Sequence, residues 1–340
     1  MYSPDGGHEA QLAQKPLLAF DENKDFATQK QQIGDKLREL LGPMPELVPL
    51  NPVVEYQKEE KTYTEYRIRF DVEKHVQAIC MLCIPKLGKE KYPLAICLQG
   101  HGKGMQTSMG RTYPDQKADD GDRNVAIQAL ERGYAALCLE QRGMGERRTV
   151  KCAEGELRND NGGPRCAVTA MTAIMLGHTL LGRRCWDVSR AIDLALTFPE
   201  IDGDKILCTG NSGGGTTTFY ASCLDERIKV SMPSCAVCSF KESIQALVHC
   251  TCNYIPNVSK YMDMGDMAAM IAPRKLVVIA GRHDTGFRYP GVLDVYDTIE
   301  KIYKSAGVPG NCALATGAQG HRYYKKEAWE AFEAVGGEEF

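Results

Sequence analysis

The 340-residue chain has no apolar run long enough to span a bilayer. Its longest apolar-leaning stretch, residues 166–181, falls short of the roughly 20 residues a span needs, carries His178 and is followed by Arg183-Arg184. That stretch reads as a buried helix. Net charge is also scarce, a formal −3 at pH 7, so neither nucleic acid nor an anionic membrane is an expected partner. The segment MYSPDGGHEAQLAQKP lacks a basic start followed by an apolar core and so does not read as a secretory leader, which makes cytoplasmic residence the expectation. Internal repeats and low-complexity segments are missing. Cysteine is plentiful at fourteen residues, yet the thiols are scattered rather than set at metal-ligand spacing. Cys80, Cys83, Cys97, Cys138 and Cys208 sit inside apolar runs and read as small buried hydrophobes of a reducing compartment. Cys235 with Cys238, and Cys250 with Cys252, are close pairs without a second pair of ligands, so no metal is expected.

What the chain does contain is alternation of strand and helix. An amphipathic helix over residues 24–41 presents Phe26, Ile33, Leu37, Leu40 and Leu41, stops at Gly42-Pro43, and gives way to the extended connector LGPMPELVPLNP. Residues 63–72 and 76–84 read as paired antiparallel strands. Strands then follow at 94–98, 135–140, 206–209, 230–233, 276–280 and 313–316, with helices at 124–132, 187–197, 213–224, 292–305 and 325–335. Such a rhythm implies a mostly parallel central sheet flanked by helices, with reactive groups beyond the carboxyl ends of the strands. The expected organisation is an N-terminal helical extension packing on the core, residues 1–50, and a main domain, 51–340, with a lid-like insertion around 142–181. The basic cluster Arg142, Arg147, Arg148 and Lys151 is interrupted by acids and reads mainly as structural or solvated.

The most informative stretch is KILCTGNSGGGTTTFYASC, residues 205–223. An apolar strand runs into Gly210-Asn211-Ser212-Gly213-Gly214 and then a helix, the G-x-S-x-G context in which a serine hydroxyl is exposed on a strained turn. A serine needs an imidazole to take its proton and a carboxylate to hold that imidazole. Of the histidines after Ser212, His321 lies in the glycine-flanked loop ATGAQGHRYY after a late strand; His249 sits in an apparent helix, and His283 comes too early. Asp284 is the best acid, because LVVIAGRHDTGFRYP is a buried strand ending in a glycine turn; Asp263 and Asp266 are its rivals in a methionine-rich segment. The helix start offers the Gly213 N–H to an oxyanion, and the loop Gln99-Gly100-His101-Gly102-Lys103-Gly104 offers a second donor, His101 first and Lys103 as the alternative. A phosphate-cradling role for this loop is disfavoured because the Walker spacing is absent.

With these elements in place, the chain resembles the α/β-hydrolase superfamily, and more narrowly its acetylxylan-esterase-like and dienelactone-hydrolase-like bacterial members. LQGHGKG, GYAALCLEQRGMGERR, HTLLGRRCWDVSRAIDLAL, TGNSGGGTTTFYAS, APRKLVVIAGRHD and GAQGH carry the resemblance over roughly residues 25–335. It implies an α/β-hydrolase fold with Ser212 as nucleophile, Asp284 as acid and His321 as base. Arg142-Gly143-Met144, Gly213 after the serine and His321-Arg322 depart from the Arg-Gly-Gln, Gly-x-Ser-Gln-Gly-Gly and His-Glu of cephalosporin-C deacetylases, and Ser212 stands where true dienelactone hydrolases carry cysteine. The expected activity is hydrolysis of a small-acyl ester, acetyl on a carbohydrate or related alcohol, through an acyl-enzyme that calls for no cofactor. A peptidase of the same fold and a non-catalytic ligand-binding relative are the rivals. Trp186, Tyr254, Tyr261, Tyr323 and Tyr324 are candidates for a sugar-stacking wall, with core packing as the other role. Self-association is an expectation of the fold class alone.

Overall fold

Strands buried on both faces must alternate their side chains between two apolar layers, and the centre of this protein is built that way. The computed structural model describes residues 5–102, 104–111, 121–148 and 166–338. In β4 (Tyr92–Leu98), Leu94, Ile96 and Leu98 join one core while Ala95 and Cys97 join the other. The same division recurs in β6 (Ile201–Asn211), where Ile206 and Cys208 face one layer and Leu207 the opposite one.

The remaining strands are β1 (Val53–Glu59), β2 (Tyr63–Glu73), β3 (Val76–Pro85), β5 (Ala135–Leu139), β7 (Ile228–Ser234), β8 (Lys275–Gly281) and β9 (Cys312–Gly317). They form a nine-stranded sheet in the order β1-β2-β3-β5-β4-β6-β7-β8-β9. Pairing is antiparallel from β1 to β5 and parallel from β5 onward. Because β4 lies between β5 and β6, the connections from its neighbourhood leave in opposite directions and open a crevice at the carboxyl edge, the place where open α/β sheets bind ligands. The fold is therefore the mostly parallel α/β-hydrolase arrangement that the alternation implies.

Helices are α1 (Asp5–Leu12), α2 (Phe26–Leu41), α3 (Val125–Glu131), α4 (Cys166–Met175), α5 (Leu180–Ala195), α6 (Gly213–Leu224), α9 (Tyr289–Ser305) and α10 (Lys325–Ala334), with the single turns α7 (Val258–Tyr261) and α8 (Met264–Met267) between α6 and α9. Ile33, Leu37 and Leu41 of α2 join the core that also takes up α5, α6 and α9. On the other face α3 and α10 pack through Val125, Ala129, Trp329 and Phe332. Among the described residues no helix is long and apolar enough to cross a membrane.

Three local features differ from the sequence reading. Strand β1 follows the extended connector, in residues to which that reading assigns no element; they are all exposed, so no apolar alternation announces it. Residues 166–181 are not one buried helix. Gly177 at φ +78° ends α4, Thr179 caps α5 by accepting from the Gly182 N–H at 3.0 Å, and α5 thus begins seven residues before the expected 187. The outer face of α4 is exposed, Met175 at 87%. Much of the expected lid-like insertion, residues 149–165 including Lys151, lies outside the described residues, as does Lys103.

The basic cluster is structural where it is described. Buried Asp187 accepts from Arg142 Nε and Nη2 and from Arg147 Nη1, each at 2.7 Å, while Arg142 also reaches Glu73. The two guanidiniums hold the Asp187 carboxyl below the usual carboxylate range despite complete burial.

Candidate active site

Ser212 stands at the junction of β6 and α6 with φ 57° and ψ −123°, a backbone conformation that costs a non-glycine residue on the order of 1–3 kcal/mol unless its surroundings impose it. The surroundings do. The Ser212 N–H donates to Ser234 O on β7 at 2.8 Å, and its own carbonyl accepts the first helical bond from Thr216 N at 2.8 Å. The helix also crosses β4 too closely for any side chain at position 214, where a Cβ would be driven into the Leu98 carbonyl oxygen.

The turn after β8 supplies Asp284 and the loop after β9 supplies His321. Asp284 Oδ2 is 2.8 Å from His321 Nδ1, while Oδ1 accepts from the N–H groups of Gly286 at 2.8 Å and Phe287 at 3.1 Å. Burial raises the Asp284 pKa, but the bond and charge of His321 and those two N–H groups outweigh it and bring it below the ordinary value. The Phe287 ring lies nearly parallel to the His321 imidazole, 6.0 Å between centroids, and so shields one of its faces. Ser212 and His321 line the same cleft of about 260 Å³, together with His101, Gly213, His249, Cys250 and Phe287. A larger hollow of about 570 Å³ lies under α1, lined by Gln11, Lys15, Gln245, Ser259 and Lys260; no histidine, cysteine or carboxylate lines it among the described residues.

The rivals fall into other roles. Asp263 and Asp266 form the capping box of α8, accepting from Met264 N and Phe240 N, and from Asp263 N and Phe20 N respectively. His283 is exposed. His249 corrects the expectation of a helix: residues 243–250 form irregular turns whose bonds, such as Gln245 N to Phe240 O at 2.9 Å, are not helical. Its ring meets the Gly286 carbonyl at 3.0 Å and the Phe287 edge, on the wall of the cleft. None of the five aromatics considered for a sugar-stacking wall lines that cleft. Trp186 donates to Val72 O and buried Tyr323 meets Thr209 Oγ1.

Sequence reasoning missed two features. Beneath the loop after β4, the Gln99 amide donates to Glu140 Oε1 at 2.9 Å, Gln141 Nε2 donates to Gln99 O at 2.6 Å, and Thr217 Oγ1 donates to Gln141 Oε1 at 2.7 Å. This buried lattice ties β4, β5 and α6 together under the cleft, and burial pushes the Glu140 carboxyl up to about 8. A carboxylate directly after an apolar strand was its only sequence signal. The second feature surrounds His101. Its Nε2 is 3.1 Å from Cys252 Sγ, its ring lies against Gly213 so closely that a Cβ there would fall 2.6 Å from Cε1 and Nδ1, and Cys166 and Cys250 complete the group. Cys166 is 84 residues upstream of Cys250, so no spacing rule could join them.

A parallel sheet carrying a serine on a strained strand-to-helix turn, an acid after β8 and an imidazole after β9 defines a protein of the α/β-hydrolase class. The chain belongs to the Abhydrolase family, whose sequence profile matches residues 8–333. It is similar to YtaP, a candidate hydrolase of Bacillus subtilis (strain 168), with 24% identity over 291 residues, covering 84% of this chain and 92% of YtaP. Among solved structures it is similar to a candidate acetyl xylan esterase from Bacteroides fragilis NCTC 9343, with TM-score 0.77, 18% identity, and coverage of 96% of this chain and 84% of that one. A glucuronoyl esterase from Solibacter usitatus follows with TM-score 0.68, 16% identity, and coverage of 96% and 99%.

Proposed function

We propose that this protein is a serine hydrolase of carboxylic esters, with acetyl or a similarly small acyl group carried on a carbohydrate or related alcohol. The observation that carries the reading is the 2.8 Å Asp284–His321 contact on the wall of the cleft that Ser212 also lines. With Nδ1–H donated to Asp284, the imidazole has Nε2 free to take the Ser212 proton as Oγ attacks the ester carbonyl. The Gly213 N–H at the start of α6 and a backbone N–H of the His101 loop receive the oxyanion, aided by the helix dipole. His321 then passes the proton to the departing alcohol, and water activated by the same nitrogen releases the acyl group from Ser212. A cleft of about 260 Å³ closed on one side by Phe287 favours a short acyl chain. The carbohydrate esterases among the structural neighbours point to the same substrate class.

The test compares wild type and Ser212→Ala on p-nitrophenyl esters of rising acyl length, acetylated xylo-oligosaccharides and methyl glucuronate. Wild type should prefer acetyl, and the variant should lose about 10⁴- to 10⁶-fold in kcat with an unchanged melting temperature. A variant that keeps most of its activity sinks the assignment. Wild type that neither turns over any ester nor reacts with a fluorophosphonate supports the ligand-binding alternative, and cleavage of amides would favour the peptidase.

A further inference from the structure

Three sulfurs and one imidazole nitrogen converge beside the cleft from three separate parts of the chain. They are His101 Nε2 from the loop after β4, Cys166 Sγ from the first turn of α4, and Cys250 and Cys252 Sγ from the turn before α7, all within 4.8 Å of one another. Cys252 and Cys250 sulfurs are 3.3 Å apart, and Cys252 Sγ is 3.1 Å from His101 Nε2. That separation is far from the ≈ 2.05 Å of a disulfide and near the roughly 3.8 Å that sulfurs at about 2.3 Å from a tetrahedral zinc would keep. The cysteines are free thiols, and Ala170 and Leu180 pack over Cys166 and Cys252 to seal the group from one side.

We propose that His101, Cys166, Cys250 and Cys252 bind a zinc ion in a closed tetrahedral Cys₃His site. The charge of the surroundings fits this ion. Arg184 is fully buried, donates to Cys166 Sγ at 3.1 Å and to the Arg142 carbonyl, and meets no carboxylate among the described residues. Three thiolates and a neutral imidazole around Zn²⁺ carry a net charge of −1, which the guanidinium balances. Binding is an exchange of ligands without electron transfer: four metal–ligand bonds form, water leaves the ion, and the protons still on the thiols go to buffer. Thiolate ligands select zinc over the harder divalent cations, and four protein ligands leave no open position, so the ion is structural.

Its place gives it a consequence. With Nε2 on the ion, the proton of His101 resides on Nδ1, and the ring is pinned against Gly213. The ion would thereby join α4 and the residue 250 turn to the loop after β4, holding one wall of the cleft.

The test is metal content rather than turnover. Full-length protein without a histidine tag, purified reduced from zinc-supplemented culture and desalted, should hold about one zinc per chain by elemental analysis. Ser212→Ala and Cys312→Ser should hold as much, while Cys166→Ser, Cys250→Ser and Cys252→Ser should each lose at least about ten-fold in affinity. Cobalt(II) added to the metal-free wild type should produce thiolate-to-cobalt charge-transfer and tetrahedral d–d bands that zinc abolishes. Should a cysteine variant not accumulate, the wild-type cobalt spectrum decides. The proposal is overturned by reduced wild type that holds no zinc and gives no such bands, by cysteine variants that retain full zinc, or by native protein whose Cys166 is disulfide-bonded to Cys250 or Cys252. Because Ser212→Ala is included, the outcome is independent of the esterase reading.

Discussion

The two sides of the cleft are built from the same kinds of loop but by different routes. On one side Ser212, Asp284 and His321 each follow directly from the carboxyl end of a strand, β6, β8 and β9, and the sheet itself delivers them. On the other side His101 follows β4, but Cys166, Cys250 and Cys252 come from a helix start and an irregular turn outside the sheet. The difference teaches that position along a strand–helix rhythm predicts a residue's location only when the sheet sets it. Groups carried by insertions between strands meet through packing.

Perturbing each side should separate them. After Ser212→Ala, the largest further effect is expected for Asp284→Asn. This change preserves size but removes the acceptor that sets the His321 tautomer, and kcat should fall about 10³- to 10⁴-fold while any zinc content stays unchanged. Loss of zinc in that variant would mean that the two sides are not separate. Gly213→Ala acts where they touch. Its Cβ would lie 2.6 Å from the His101 ring, so kcat/KM should drop about 10²-fold through a displaced oxyanion donor. Adding His101→Ala removes the obstructing ring, and the double variant should be less defective than the product of the two singles; strict additivity in the kinetics would deny the contact.

The smallest effect concerns the lattice beneath both sides. Glu140 is pushed up to about 8 by burial, whereas an unfolded glutamate titrates near 4.3. Between those values the folded protein holds a proton that the unfolded chain has lost, so this group's contribution is complete below the unfolded pKa and declines as pH rises to about 8. Glu140→Gln should flatten that decline. Denaturation curves measured from pH 5 to 8.5 check the slope, and an unchanged slope would show that Glu140 is ionised in the fold. Asp284 runs the other way, since its depressed pKa gives stability above the unfolded value that is lost as acid protonates it.

Most of the central sheet could be read from sequence because strands buried on two faces appear as short apolar runs between glycines. The exposed β1 could not, since nothing in Val53–Glu59 alternates. The elements of the candidate triad were legible for a related reason. Ser212 sits in a glycine pattern demanded by close backbone approach, and Asp284 and His321 each sit just past an apolar strand. His249 misled because Ile244, Ala246, Leu247 and Val248 imitate a helical stripe, whereas the structure breaks them into turns and leaves Val248 fully exposed.

By itself the sequence determined the strand–helix order, the strained serine turn and the two loops that face it, because local propensity and chain order govern all three. Tertiary structure alone decided that Cys250 and Cys252 have partners, that Arg184 is buried among thiols, and that Glu140 holds up the loop after β4. Those contacts join residues tens of positions apart, and no local energy records them until the layers pack.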